Sequence, residues 1–166
     1  MRTAFRDALT ALARRDPRVL LLIGDIGGGL FLDFHREMPK QFFNAGICEQ
    51  ATVSVAAGLA LRGFRPVVFT ITPFLIERAF EQVKVDLHLM RAPVGLVGYC
   101  DTTEGPTHHP LNVEALMALV PNIRSIFPQR KEEVGPMLES MLWDEPDSVP
   151  WAGPWFLSLK PETTCN

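Results

Sequence analysis

The sequence predicts an α/β fold: a doubly wound, mostly parallel sheet with helices on both faces. Three observations carry this. Val19–Ile23, Pro66–Ile71 and Val94–Val97 are short apolar runs without polar alternation, as expected of strands buried on both faces. Between such runs stand segments with apolar residues at helical spacing, notably Phe80, Val83, Leu87 and Met90. Strand and helix then alternate along the chain, the pattern that builds a parallel sheet through helical crossovers.

Taken in order, residues 3–15 place Phe5, Ala8, Leu9 and Leu12 on one helical face. Asp16-Pro17 ends that helix, because a residue before proline avoids the helical region. The first strand, 19–23, runs into a glycine-rich turn. Residues 49–61 are rich in alanine and stop near Gly63, a good helix terminator. A strand at 66–71 is followed by one long helix over 74–90, a strand at 94–97 and a loop over 98–110. A helix near 113–120, a strand at 123–127, a helix over 131–143 and a strand at 155–159 complete the series. Residues 144–154 hold three prolines and read as a surface loop. In sheets of this kind ligands bind beyond the carboxyl ends of the strands, which marks loops 24–30, 71–75 and 98–110.

Length and composition bound the rest. The 166 residues suit one domain, expected over 1–160, with 161–166 as a frayed tail. Apolar residues make up 47%, enough for a real core, and the net charge of -3 offers no basic surface for nucleic acid or anionic lipid. Cys48, Cys100 and Cys165 form neither a metal-ligand pattern nor a disulfide framework, and a reducing cytoplasm fits them best. The N-terminal stretch carries scattered arginines and no continuous apolar core, unlike a signal peptide, and no apolar run is long enough to cross a bilayer.

Four constellations could carry chemistry. Gly24-Asp25-Ile26-Gly27-Gly28-Gly29 follows a buried strand; it is either a flexible turn or a loop that lets a ligand approach the backbone, and it is neither a Walker loop nor a GxGxxG fingerprint. Glu49 opens the alanine-rich helix, where a carboxylate usually complements the helix dipole. Yet Ala51, Ala56, Ala57, Gly58 and Ala60 allow another element to approach closely, and Glu49 buried there would carry an uncompensated charge and a raised pKa. Phe74 and Phe80 have the spacing of core residues, but Phe74 lies at a strand end in the ligand zone. His108 and His109 sit in the loop Glu104-Gly-Pro-Thr-His-His109; they are solvated, or they move protons, and adjacent histidines seldom chelate one metal ion well.

In this order, the stretches GDIGGG, FFNAGICEQATVSVAAGLALRGFRPVVFTITPFLIERAFEQVKVD and EGPTHHP resemble the pyrimidine-binding domain of transketolases, over about residues 2–160. The resemblance implies thiamine diphosphate as cofactor, shared with a partner chain that binds the diphosphate and Mg2+. It assigns Glu49 to N1′ of the aminopyrimidine ring and Phe74 to stacking on that ring. Asp25, Phe80 and Arg78 join them as cofactor-site residues. His108 is matched to the histidine that contacts the donor substrate, with His109, Arg2 and Phe127 at the substrate end. The cofactor supplies the carbanion chemistry, and the protein tunes and positions it.

The chain departs from the family in two ways. It holds only the middle of three domains and has no GDG motif followed by Asn for a metal–diphosphate site, so it is one subunit of a split enzyme or an excised piece. At the substrate end Phe127 stands where the family often has Arg before Pro, and Gly29 where a Ser can follow the Asp turn. At least one arginine of a phosphate grip is thereby lost, which favours a less charged or unphosphorylated substrate unless Arg130 or the partner supplies the grip. The alternatives are a deoxyxylulose-phosphate-synthase-like or 2-oxoacid dehydrogenase beta-like domain, or a non-catalytic scaffold. The small-residue face of helix 49–61 is expected to pair two copies of the chain.

Overall fold

A computed structural model describes residues 1–100, 104–142 and 153–159. Its six strands are β1 (Val19–Ile23), β2 (Phe42–Asn44), β3 (Arg65–Ile71), β4 (Gly95–Tyr99), β5 (Arg124–Ile126) and β6 (Trp155–Leu159). They form one all-parallel sheet in the order β2-β1-β3-β4-β6-β5. The doubly wound α/β fold expected from the sequence is the one observed. The expected tail 161–166 and most of the expected loop 144–154 lie outside the described residues.

Alternation along each strand explains why these runs are apolar throughout. Leu21, Phe69, Val97 and Leu157 point to one face, where helix α1 (Arg2–Arg15) and the helix Lys131–Leu142 cover them with Phe5, Leu9, Val134 and Leu138. Leu22, Val68, Leu96 and Phe156 point to the other, beneath α3 (Glu49–Leu61) and the segment 73–89. Both faces are covered, so neither needs polar residues.

Several elements differ from expectation. Strand β2 and helix α2 (Leu32–Glu37) are additions to the elements the sequence predicts. Three residues are too few for a periodic signal, and β2 is defined only by the pairing of Leu21, Leu22 and Ile23 with Phe42, Phe43 and Asn44. The single long helix over 74–90 is instead three pieces. π-Helical turns at Pro73–Glu77 and Val83–Leu89 flank one α turn, α4 (Phe80–Gln82), with Ala79 bent out of helical geometry at φ -103° and ψ 21°. Arg78 N–H bonds back five residues to the Pro73 carbonyl at 3.0 Å. Each such turn takes up an extra residue and rotates the side chains beyond it to a new direction, which side-chain spacing does not reveal.

The chain leaves β1 for β2 on one side and returns to β3 on the other. Crevices at the carboxyl ends of strands open at such a switch point, here between β1 and β3. Gly98 brings the 73–77 turn down onto β4: a Cβ there would stand 2.6 Å from Thr72 Oγ1. Among the described residues no helix is long and apolar enough to cross a membrane.

Candidate functional site at the β1–β3 switch point

Glu49 is the first residue of α3, reached from β2 through Gly46, whose φ of +74° suits glycine. It is 3% exposed. The expectation of a buried carboxylate holds, but the expectation of an uncompensated one does not. Arg78 Nη1 donates to Glu49 Oε1 at 2.9 Å. The partner is invisible in sequence because it lies 29 residues away and the 73–77 π turn aims it.

Phe74 belongs to that same turn and is 7% exposed. The Arg78 guanidinium carbon stands 3.9 Å from the centre of its ring. His108, in the 3-10 turn Pro106–His108 that Gly105 opens at φ +89°, meets the Phe74 ring edge to face with centroids 4.8 Å apart. Thus Glu49, Arg78, Phe74 and His108, drawn from three loops, form one contact chain. Glu77 ties two of those loops together, its Oε1 accepting from Leu111 N–H at 2.7 Å. Nothing in the sequence singles out Glu77.

Asp25 sits at the carboxyl end of β1 in the left-handed region, φ 59°, an uncommon state for a non-glycine residue. Asn44 holds it there. The Asn44 Oδ1 accepts from Asp25 N–H at 2.9 Å and Gly46 N–H at 3.1 Å, and its Nδ2 donates to Asp25 Oδ1 at 3.1 Å. One amide therefore couples the Asp25 turn to the entry of α3. The FFN triplet at the end of β2 is the available signal for Asn44.

The other candidates lie apart. Phe80 packs with the apolar layer under α3 and the 73–89 segment rather than joining the Phe74 contacts. His109 is exposed beside His108. Arg2 lies over the Tyr99 ring, 4.9 Å from its centre, on a cavity of about 360 Å³ whose lining includes Gly27, Leu30 and Phe69. Phe127 follows the edge strand β5, three strands from β3, and rests on Phe156 with centroids 6.2 Å apart. At ~4.8 Å per strand it stands roughly 14 Å across the sheet from the Glu49 contacts. Gly29 is exposed, and a Cβ there would meet nothing within 4 Å.

A buried, ion-paired acid beside an aromatic ring thus stands at the switch point of a doubly wound parallel sheet, the place where α/β domains of this class bind ligands. The chain belongs to the family described as the transketolase pyrimidine binding domain, whose profile matches residues 1–150. It is 37% identical over 148 residues to a 1-deoxy-D-xylulose-5-phosphate synthase of Thermus thermophilus, covering 84% of this chain and 23% of that protein. A synthase of the same description from Syntrophotalea carbinolica is 38% identical over 138 residues, 78% of this chain and 21% of that one. A solved chain described as a split-gene transketolase, inactive beta4 tetramer, superposes with a TM-score of 0.82 at 26% identity. That match covers 95% of this chain and 50% of the other. The chain therefore spans under a quarter of those synthases and half of that transketolase chain.

Proposed function

We propose that this chain is the pyrimidine-domain subunit, residues 1–160, of a two-component thiamine-diphosphate-dependent transferase of the transketolase kind. It moves a two-carbon ketol or acyl unit and acts only with a separate subunit that binds the diphosphate and Mg2+. The observation that carries this is the buried Glu49 carboxylate beside the Phe74 ring, bridged by a flat, donor-bearing guanidinium. A planar ring with a hydrogen-bonding edge is the ligand such a pair accommodates, so the residues fit the cofactor's aminopyrimidine.

When bound, thiamine diphosphate supplies the nucleophilic carbon that carries the transferred unit. Glu49 holds a proton at N1′ of the aminopyrimidine, in a setting that excludes water. Phe74 orients the ring by stacking. Asp25 and Phe80 complete the cofactor side, and Arg78 satisfies the Glu49 carboxylate until the ring arrives. His108, edge-on to Phe74, binds the donor carbonyl end, with His109 beside it. Arg2, on its cavity, and Phe127 serve the far end of the substrate. The exposed Val55, Gly58 and Leu61 of α3 pair two copies of the chain in a cytoplasmic heterotetramer.

The decisive experiment is co-purification with a subunit carrying a GDG…N motif, then thiamine diphosphate, magnesium and a panel of ketose and 2-oxoacid donors. Transfer activity that needs both chains and disappears in Glu49→Gln is expected. A cofactor C2-proton exchange rate unchanged by Glu49→Gln refutes the assignment. The second reading, a deoxyxylulose-phosphate-synthase-like domain, is supported by the identities of 37% and 38% to synthases of that description. Exclusive use of a 2-oxoacid donor decides for it.

A further inference from the structure

Glu49 and Phe74 are the two groups a planar hydrogen-bonding ring needs, yet neither is open. The Glu49 side chain is 4% exposed and Phe74 is 7% exposed. One side chain touches both. The Arg78 guanidinium lies over the Phe74 ring at 3.9 Å and donates to Glu49 at 2.9 Å. A guanidinium is flat, cationic and rimmed with N–H donors. It offers Phe74 a face and Glu49 a donor, the same pair of contacts an aminopyrimidine offers a stacking ring and a carboxylate.

We propose that Arg78 is a built-in cap that takes up the stacking face of Phe74 and the Glu49 carboxylate and swings out when the pyrimidine ring binds. The inference rests on the thiamine diphosphate reading above. Arg78 is placed to leave. Its side chain is 41% exposed, so it can rotate into water. Its backbone is pinned, with N–H bonded to the Pro73 carbonyl at 3.0 Å and its own carbonyl accepting from Gln50 Nε2 at 3.1 Å. Glu49 and Phe74, by contrast, belong to the first turn of α3 and to the 73–77 turn, and both are buried.

Leaving exposes a constraint. Once Arg78 departs, Glu49 is a buried charge without a partner, which is costly unless the incoming ligand donates to it. The cap therefore opens in exchange for a ligand that brings both a plane for Phe74 and a donor for Glu49, and it keeps the acid satisfied until then. It also lowers apparent affinity by the fraction of chains that are capped.

The test uses the full chain and the cofactor's pyrimidine fragment, 4-amino-5-hydroxymethyl-2-methylpyrimidine, titrated by protein-observed NMR. Arg78→Ala is expected to bind the fragment about tenfold more tightly than wild type, because the competing stack and ion pair are gone. Millimolar methylguanidinium should restore weak binding in Arg78→Ala and leave wild type unchanged, a response that a merely structural arginine does not give. If Arg78→Ala fails to fold, Arg78→Lys carries the test: it keeps the charge without the plane and should bind about threefold more tightly than wild type. A fragment that binds wild type, but binds the folded variant no better, overturns the cap alone. A fragment that binds neither protein overturns the pyrimidine-site reading and this inference with it.

Discussion

Breaking the Arg78–Glu49 pair from either side should have unequal consequences for stability. Arg78→Ala leaves Glu49, 3% exposed, as a buried carboxylate without its donor. Removing one partner of a fully buried pair costs about 3–5 kcal/mol. Arg78 is 41% exposed, so water enters where its side chain stood, and a cost of about 2 kcal/mol is expected. For a chain of this length that lowers the melting temperature by roughly 4–8 °C. Glu49→Gln keeps the shape, removes the buried charge, and lets Arg78 turn to solvent. Relief of desolvation offsets the lost attraction, and the change should stay below about 1 kcal/mol. The double variant should then be more stable than Arg78→Ala alone, since neutralising Glu49 removes the orphaned charge. Urea unfolding of the full chain at neutral pH, monitored by far-UV circular dichroism, measures all four proteins. The reasoning is refuted if Arg78→Ala matches wild type, or if Glu49→Gln is the more damaging single change.

Other parts of the molecule yield three further outcomes. Asp16 is held below the ordinary carboxylate pKa, first by the Arg18 side chain hydrogen bonds and then by the Arg18 backbone N–H and the nearby charges of Arg18 and Arg65. A depressed folded pKa stabilises above the unfolded value, about 4, and the contribution is lost as pH falls through the folded value; Asp16→Asn should flatten the acid limb of the stability curve, and parallel limbs would count against the pairing. Among the described residues the buried Thr70 hydroxyl has no hydrogen-bond partner, so Thr70→Val should leave the urea midpoint unchanged or raise stability by up to about 1 kcal/mol, and a clear loss would count against the reasoning. Val55 and Leu61, 55% and 59% exposed on α3, should hold two copies together, so Val55→Glu should shift sedimentation toward monomer; a wild-type chain that sediments as monomer sinks the contact.

Much of the site is legible in the sequence because it depends on local chemistry at strand ends. Glu49 at a helix start, Phe74 after a buried strand and His108 in a Gly/Pro loop are each positions that their neighbours define. Pairing across distance is not legible. Arg78 meets Glu49 only because a π turn re-aims it, and the Asn44 amide reaches Asp25 only because β2 lies beside β1. The small-residue face of helix 49–61 divides in two. Ala56, Ala57 and Ala60 face the chain's own sheet, and only Ala51 and Gly58 of that set are exposed. Spacing shows that small residues share a face, but not which neighbour that face meets.

By itself, then, the sequence determined the class of fold, since continuous apolar runs cannot be solvated on either face and alternating helices supply the two covers. It also determined the family, and it marked Glu49, Phe74 and His108 without their contacts. The tertiary structure decided the order of the strands, the switch point between β1 and β3, and the closure of Glu49 and Phe74 beneath one arginine. Those depend on which surfaces exclude water together and on hydrogen bonds closed across dozens of residues, and no local pattern encodes either.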